Sequence, residues 1–148
     1  MTVVYNGGSY DLVHRAHIDV FRQLRRMAGK YGIVVVALNT DDFIREFKGH
    51  DPVAPYEDRA AVLRAMRDID RVVPNVGGAD SRPTIEAVAP DVIAAGHDWY
   101  SPDDERYCRQ MGFTRDWLAQ RNISLVYLDW VEGYSSTNLR ATARAMEV

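Results

Sequence analysis

The segment Asn6-Gly7-Gly8-Ser9-Tyr10-Asp11-Leu12-Val13-His14-Arg15-Ala16-His17 gathers the side chains most able to do chemistry. Two glycines let the backbone turn tightly and approach a ligand closely. A hydroxyl at Ser9 and a carboxylate at Asp11 follow. His14 and His17 stand three residues apart, where the apolar run Val3-Val4-Tyr5 has given way to an amphipathic one. At a helix N-terminus, free backbone N–H groups and the helix dipole favour an anion. Strand, glycine turn, paired imidazoles and helix start describe a place to hold and charge-balance a chain of phosphates.

The spacing rules out several other sites. The G-x-G-x-x-G order of a dinucleotide turn is absent, and so is the lysine of a P-loop. The helical zinc motif spaces its histidines by four with a glutamate between, and that too is missing. A His-x-x-His pair can still take a metal, so a metal-binding module of His14, His17, His50 and His97 stays open. So does a plain reading, with one histidine capping the helix and the other solvated.

The elements that must position these residues alternate along the chain. Val3 to Tyr5 reads as the first strand. Ile18, Phe21, Leu24 and Met27 repeat at helical spacing, with Arg22, Arg25 and Arg26 outward. Ile33 to Leu38 is a continuous apolar run, as in a strand buried on both faces. A short helix starts at Thr40-Asp41-Asp42, and Phe47 to Pro55 reads as a loop. A helix is expected over Tyr56 to Met66, and a short strand over Arg71 to Pro74. Pro83 suits the first turn of the next helix. Asp91 to Gly96 reads as a fourth strand, Ser101 to Gly112 as a polar, mobile segment, Thr114 to Gln120 as a helix and Ser124 to Leu128 as a fifth strand. Ser135 or Ser136 then caps a last helix through Met146. This alternation predicts one domain over residues 1–148: an α/β fold with a doubly wound, five-stranded, mostly parallel sheet and helices on both faces. Ligands of such sheets bind beyond the carboxyl ends of the strands, near the switch in strand order.

Composition narrows the class. The chain has 148 residues, 18 basic and 21 acidic, for a formal charge of −3. That is no nucleic-acid footprint, so a polyanionic ligand must meet a local basic cluster. Cys108 is the single cysteine, which removes a disulfide framework within one chain. No apolar run approaches membrane-spanning length and none reads as a signal peptide. A cytoplasmic enzyme that binds neither membrane nor nucleic acid fits these bounds.

The opening segment resembles that of the cytidylyltransferase-like nucleotidyltransferases, whose first strand leads into a His-x-Gly-His motif. Ser9-Tyr10-Asp11-Leu12-Val13-His14 matches the hydroxyl–aromatic–Asp–Leu-x-His run of their glycerol-3-phosphate type. Near the other end, Trp130-Val131-Glu132-Gly133-Tyr134-Ser135-Ser136-Thr137 is similar to the family's Arg-Thr-x-Gly-Ile-Ser-Thr-Thr. The likeness runs from Val3 to about Leu139.

The resemblance implies a Rossmann-like nucleotidyltransferase fold, Mg²⁺ carried with a nucleoside triphosphate, CTP as the favoured nucleotide, a small phosphorylated acceptor and a homodimer. It implies that His14, His17 and Lys48 act on the phosphates as catalytic groups. Gly8, Ser9, Tyr10, Asp11, Arg67, Asp98, Gly133, Tyr134, Ser135, Ser136 and Thr137 would hold the nucleotide. Asp11, Arg59 and Trp99 would meet the acceptor. No protein-held metal is expected. Tyr56-Glu57-Asp58-Arg59 resembles the family's Tyr-Glu-x-Arg; one of Arg59 and Arg67 is expected on a phosphate, the other paired with Asp70 or Glu57. Three departures stand out. Ala16 replaces the glycine between the histidines, His97 replaces an acid, and Trp130-Val131 replace Arg-Thr. Arg82, Arg106, Arg115 or Arg140 would then supply the missing cation, or the indole of Trp130 would stack on a base. The implied reaction is CMP transfer from CTP to a phosphorylated alcohol or polyol with release of pyrophosphate. An adenylyltransferase of the same fold, or a nucleotide-binding protein with reduced turnover, stays open.

Overall fold

Short continuous apolar runs and amphipathic runs of period 3.6 build alternate strands and helices. The computed structural model describes residues 1–129 together with 144 and 145. The order is β1 (Val3–Gly8), α1 (Arg15–Ala28), β2 (Ile33–Asn39), α2 (Asp41–Lys48), α3 (Tyr56–Arg64), β3 (Arg71–Asn75), α4 (Arg82–Val88) and β4 (Val92–Ala95). A single 3₁₀ turn (His97–Trp99), α5 (Glu105–Met111), α6 (Arg115–Gln120) and β5 (Ser124–Tyr127) follow. The five strands lie in the order β3-β2-β1-β4-β5 and every pairing is parallel. The fold is therefore α/β and Rossmann-like, and its sheet is parallel throughout.

Alternation along the strands splits the core in two. Val4, Val34, Val36 and Leu38 face Phe21 and Leu24 of α1 and Ala60 and Leu63 of α3. Tyr5, Ala37, Ile93 and Ala95 face the other way, onto Ile85 of α4, Tyr107 and Cys108 of α5, and Leu118 of α6. The strand order reverses between β1 and β4, so the crevice opens at their carboxyl ends, where Gly8 and Gly96 stand.

Several boundaries differ from the sequence expectation, each for a local reason. β1 continues through Gly7 and Gly8, because both keep register with Ala37 and Leu38 of β2. α1 starts at Arg15, so His14 is its cap. Lys48 ends α2 and does not lie in a loop. Thr40 accepts the N–H of Phe43 to start that helix, Phe43 and Ile44 bury one face, and Gly49 closes it in a left-handed conformation. α3 stops at Arg64, which leaves Arg67 in the turn beyond it. The polar stretch after Ser101 contains α5, anchored by the buried Tyr107 and Cys108. Its two aromatic and thiol anchors are too few to show a helical period among so many charges. The expected last helix and the Gly133 motif lie outside the described residues, apart from Arg144 and Ala145, which are helical.

Candidate active site

Gly8 has no room for a side chain. A Cβ there would come 2.7 Å from Cε2 of Tyr10, whose ring folds back over it. That fold requires a positive φ of 44° at Tyr10, an uncommon conformation for a bulky residue that marks a constrained turn. Tyr10 donates its hydroxyl to Asn6, and its ring packs edge-on against His17 and beside Phe21. Asn6 in turn donates to the carbonyl of Ala94 at 2.9 Å, linking β1 to β4 across the switch. The turn is thus held rigidly over the start of α1.

The first turn of α1 is closed by its own histidines. His14 Nδ1 accepts the N–H of Ala16 at 3.2 Å, and His17 Nδ1 accepts the N–H of His14 at 3.1 Å. The rings lie 3.9 Å apart between centroids. With each Nδ1 accepting, the proton of each neutral ring sits on Nε2. Burial lowers the pKa of both histidines. In His17 burial and the neighbouring His14 push it down to about 4. Near pH 7 the pair is neutral and donating. At rest these rings offer N–H dipoles rather than full charges.

A cleft of about 550 Å³ opens above this turn. Gly8, Ser9, Tyr10, Asp11, His14, His17, Lys48, Asp98 and Trp99 all line it. Asp11 reaches sideways, its carboxylate accepting the N–H groups of Val53 at 2.8 Å and Ala54 at 2.9 Å. It pins the segment after Lys48 to the glycine turn. Asp98 and Trp99 sit on the 3₁₀ turn after β4, with Arg106 over the Trp99 ring at 5.3 Å. Arg106 also donates to the carbonyl of Asp98 at 2.6 Å. Of the cations considered for the place of an arginine at 130, Arg106 lies over Trp99 without lining the cleft, Arg82 pairs with Asp80, Arg115 lies beside Asp104, and Arg140 is outside the described residues.

Two expected ligand residues lie elsewhere. Arg59 does not line the cleft. Its guanidinium is fully enclosed and donates to Ala54 O, Ser9 O and Asn39 O at 2.8–2.9 Å and to the Asp41 carboxylate at 2.6 Å. A buried guanidinium needs such acceptors, and satisfying them makes Arg59 a tie beneath the site, not a contact to the acceptor. Arg67 is exposed, beyond the end of α3, and does not line the cleft either. Asp70 pairs with Arg25 and Glu57 with Arg64, so neither serves Arg59 or Arg67 as expected. Gly133, Tyr134, Ser135, Ser136 and Thr137 lie outside the described residues, as do Trp130 and Val131.

The sequence reading missed Tyr5, Asn39, Phe43, Phe47, Asn75, Ser81, Gln110 and Met111 on the cleft wall. Asn39 and Asn75 carried a usable signal, since each is the amide that ends a strand. They join as Asn75 Nδ2 to Asn39 Oδ1 at 3.2 Å and Asn39 Nδ2 to Ser9 Oγ at 3.0 Å. Among the described residues, no group of three or more His, Cys, Asp or Glu side chains is arranged to hold a metal.

The cytidylyltransferase-like family model matches residues 5–142. The chain belongs to that family of nucleotidyltransferases. It is 33% identical over 140 residues to glycerol-3-phosphate cytidylyltransferase of Staphylococcus aureus (strain NCTC 8325 / PS 47), covering 95% of this chain and 93% of that one. It is 40% identical over 105 residues to FAD synthase of Pyrococcus abyssi (strain GE5 / Orsay), covering 71% of this chain and 66% of the other. It is also 35% identical over 147 residues to the bifunctional protein HldE of Azorhizobium caulinodans, where 97% of this chain spans 28% of that one. The crystal structure of the lipopolysaccharide core biosynthesis protein from Thermoplasma volcanium GSS1 shares the fold, with a TM-score of 0.69, 23% identity and coverage of 89% and 99%. In this nucleotidyltransferase no helix of the described residues is long and apolar enough to cross a membrane.

Proposed function

We propose that this nucleotidyltransferase moves CMP from CTP to a small phosphorylated alcohol or polyol. The observation that carries the reading is the pair of neutral imidazoles locked at the N-terminus of α1, beside Gly8, at the switch point of the sheet. The similarity over nearly the full length to a glycerol-3-phosphate cytidylyltransferase supports the choice of nucleotide and acceptor.

An oxygen of the acceptor phosphate attacks the α-phosphorus of CTP, forming a new P–O–P bridge. The bond from the α-phosphorus to the β-phosphate oxygen breaks, and pyrophosphate leaves with its electron pair. The attacking oxygen is already anionic, so no general base is required. Such transfers depend on positioning and on stabilising negative charge as it spreads over the equatorial oxygens. The Nε2–H groups of His14 and His17 supply donors on one side. Lys48, at the end of α2, supplies a full positive charge on the other. Asp98 lines the β4 side of the cleft and is proposed to hold the nucleotide together with Gly133, Tyr134, Ser135, Ser136 and Thr137, while Trp99 beside it is proposed to meet the acceptor.

The carboxylates fit a metal ion brought by the nucleotide, not one caged by protein. Both oxygens of Asp11 already accept backbone N–H groups, leaving Asp98 and Asp129 as the other cleft carboxylates among the described residues. Mg²⁺ carried with the nucleotide would supply charge neutralisation there. A homodimer and a cytoplasmic setting go with this reading.

Adenylyl transfer is the second reading. It is favoured by the 40% identity to an FAD synthase, since FAD contains an adenylyl unit, and by Trp130-Val131 in place of Arg-Thr. Pyrophosphate release from CTP, ATP, GTP and UTP with a panel of phosphorylated acceptors tests both. Release with CTP and a phosphorylated polyol is the expected result. Release with ATP alone selects the second reading, and release with none leaves a nucleotide-binding protein.

A further inference from the structure

Behind β1, on the face away from α1, the cleft wall forms a recess lined by Tyr5, Gly7, Tyr107 and Met111. Gly7 and Tyr5 point to this face. A Cβ on Gly7 would stand 3.6 Å from Cε of Met111 and 3.8 Å from Cε1 of Tyr5. Tyr5 is wholly buried and lines the cleft, and its enclosed hydroxyl makes no hydrogen bond among the described residues. Its neighbours on β2 and β4, Ala37, Ile93 and Ala95, are apolar. A buried hydroxyl without a partner is unfavourable, and phenylalanine would fill the same space without that cost. The hydroxyl therefore points to a polar group that enters from the cleft. Met111 stands beside Gly7 on the same wall, and an unbranched thioether gives way easily.

The side of the cleft identifies the guest. The histidines hold the phosphates on the α1 face. An in-line displacement brings the attacking molecule from the side opposite the leaving pyrophosphate, and the recess beyond Gly7 lies across the sheet from α1. Burial raises the pKa of Tyr5, and burial followed by the nearby Tyr5 raises that of Tyr107, a second phenol on the same wall. Both stay protonated and able to donate.

We propose that Tyr5 is a specificity-determining residue for the acceptor, its hydroxyl bonding a free hydroxyl of a polyhydroxylated phosphate ester. The inference rests on the proposed cytidylyl transfer for the name of the acceptor class, and its test reads binding alone.

Calorimetric titration of wild type and Tyr5→Phe with glycerol 3-phosphate, 3-hydroxypropyl phosphate, CTP and 2′-deoxy-CTP decides it. Wild type should prefer glycerol 3-phosphate over the ester lacking the central hydroxyl by about tenfold, the worth of one hydrogen bond. Tyr5→Phe should lose that preference, bind CTP unchanged and melt no lower than wild type. Gly7→Ala, whose new methyl meets its neighbours at ordinary contact distance, should weaken both esters and spare CTP. A preference that survives in Tyr5→Phe, or a Gly7→Ala that binds both esters as wild type does, overturns the proposal. So does a wild type that binds neither ester. Loss of discrimination between CTP and 2′-deoxy-CTP instead would assign the hydroxyl to the nucleotide's ribose and also overturn it. Preferred ester binding without pyrophosphate release from CTP would refute the proposed reaction and leave the recess assigned.

Discussion

His14 and His17 close the first turn of α1 reciprocally: His14 Nδ1 takes the N–H of Ala16, and His17 Nδ1 takes the N–H of His14. One pair of rings therefore caps the helix and, through Nε2, presents fixed donors at its anion-attracting end. Aspartate would cap as well but would offer no donor to phosphate. Replacing either histidine by asparagine retains a side-chain acceptor for the cap and removes the imidazole donor. Turnover should fall by on the order of a hundredfold or more in each variant, the usual cost of one charge-stabilising donor. Steady-state rates on variants with wild-type circular dichroism check this, and near-normal rates in both would sink the mechanism.

The same arrangement sets a pH dependence of stability. His17 is held at about 4 in the folded chain against an ordinary value near 6.5, because of burial first and His14 second. The unfolded chain thus takes up this proton at higher pH than the folded one. Stability from this group is complete above pH 6.5 and is lost as pH falls through about 4. Denaturant unfolding between pH 7 and pH 4 should show wild type losing stability more steeply than His17→Asn. Parallel curves for the two proteins would contradict the assignment.

Lys48 lies at the C-terminal end of α2 and is exposed on the cleft rim. Its charge suits the negative end of the helix dipole, a contribution of about 0.3–1 kcal/mol at such positions. Lys48→Ala should therefore shift the melting temperature by only a few degrees while slowing turnover on the order of a hundredfold. A large loss of stability with an unchanged rate would make Lys48 structural.

Arg59 should behave in the opposite way. It ties the carbonyls of Ser9, Asn39 and Ala54 to Asp41 beneath the glycine turn. Removing it strands those carbonyl acceptors and leaves the one-third-exposed Asp41 without its partner, which costs about 1–3 kcal/mol. Arg59→Met should lower the unfolding free energy by that order. Turnover at low temperature, where the variant stays folded, should suffer through misplacement of Ser9 and Asp11. An Arg59→Met protein of wild-type stability with a raised KM for the phosphorylated acceptor would restore Arg59 to the ligand set.

The chain's local chemistry sufficed for the alternation of elements and for the Gly8-to-His17 segment. Apolar period and turn glycines act over a few residues, and capping and glycine turns are neighbour effects. The local pattern also placed Asp98 and Trp99 near the rim, because they follow directly on a strand end. The tertiary structure alone decided what each charged group does. Arg59 and Arg67 lie eight apart in the sequence, yet one is sealed under β1 and β2 and the other exposed past the end of α3. Asp70 meets Arg25 across 45 residues, and Asp11 meets Val53 across 42. Spacing along the chain carries no record of such partners, since crossovers of a parallel sheet bring together segments far apart in sequence. The lowered pKa of His17 and the orphaned hydroxyl of Tyr5 have the same origin. Both follow from how much protein surrounds the group, and burial is a property of the packed sheet and its helices rather than of any one segment.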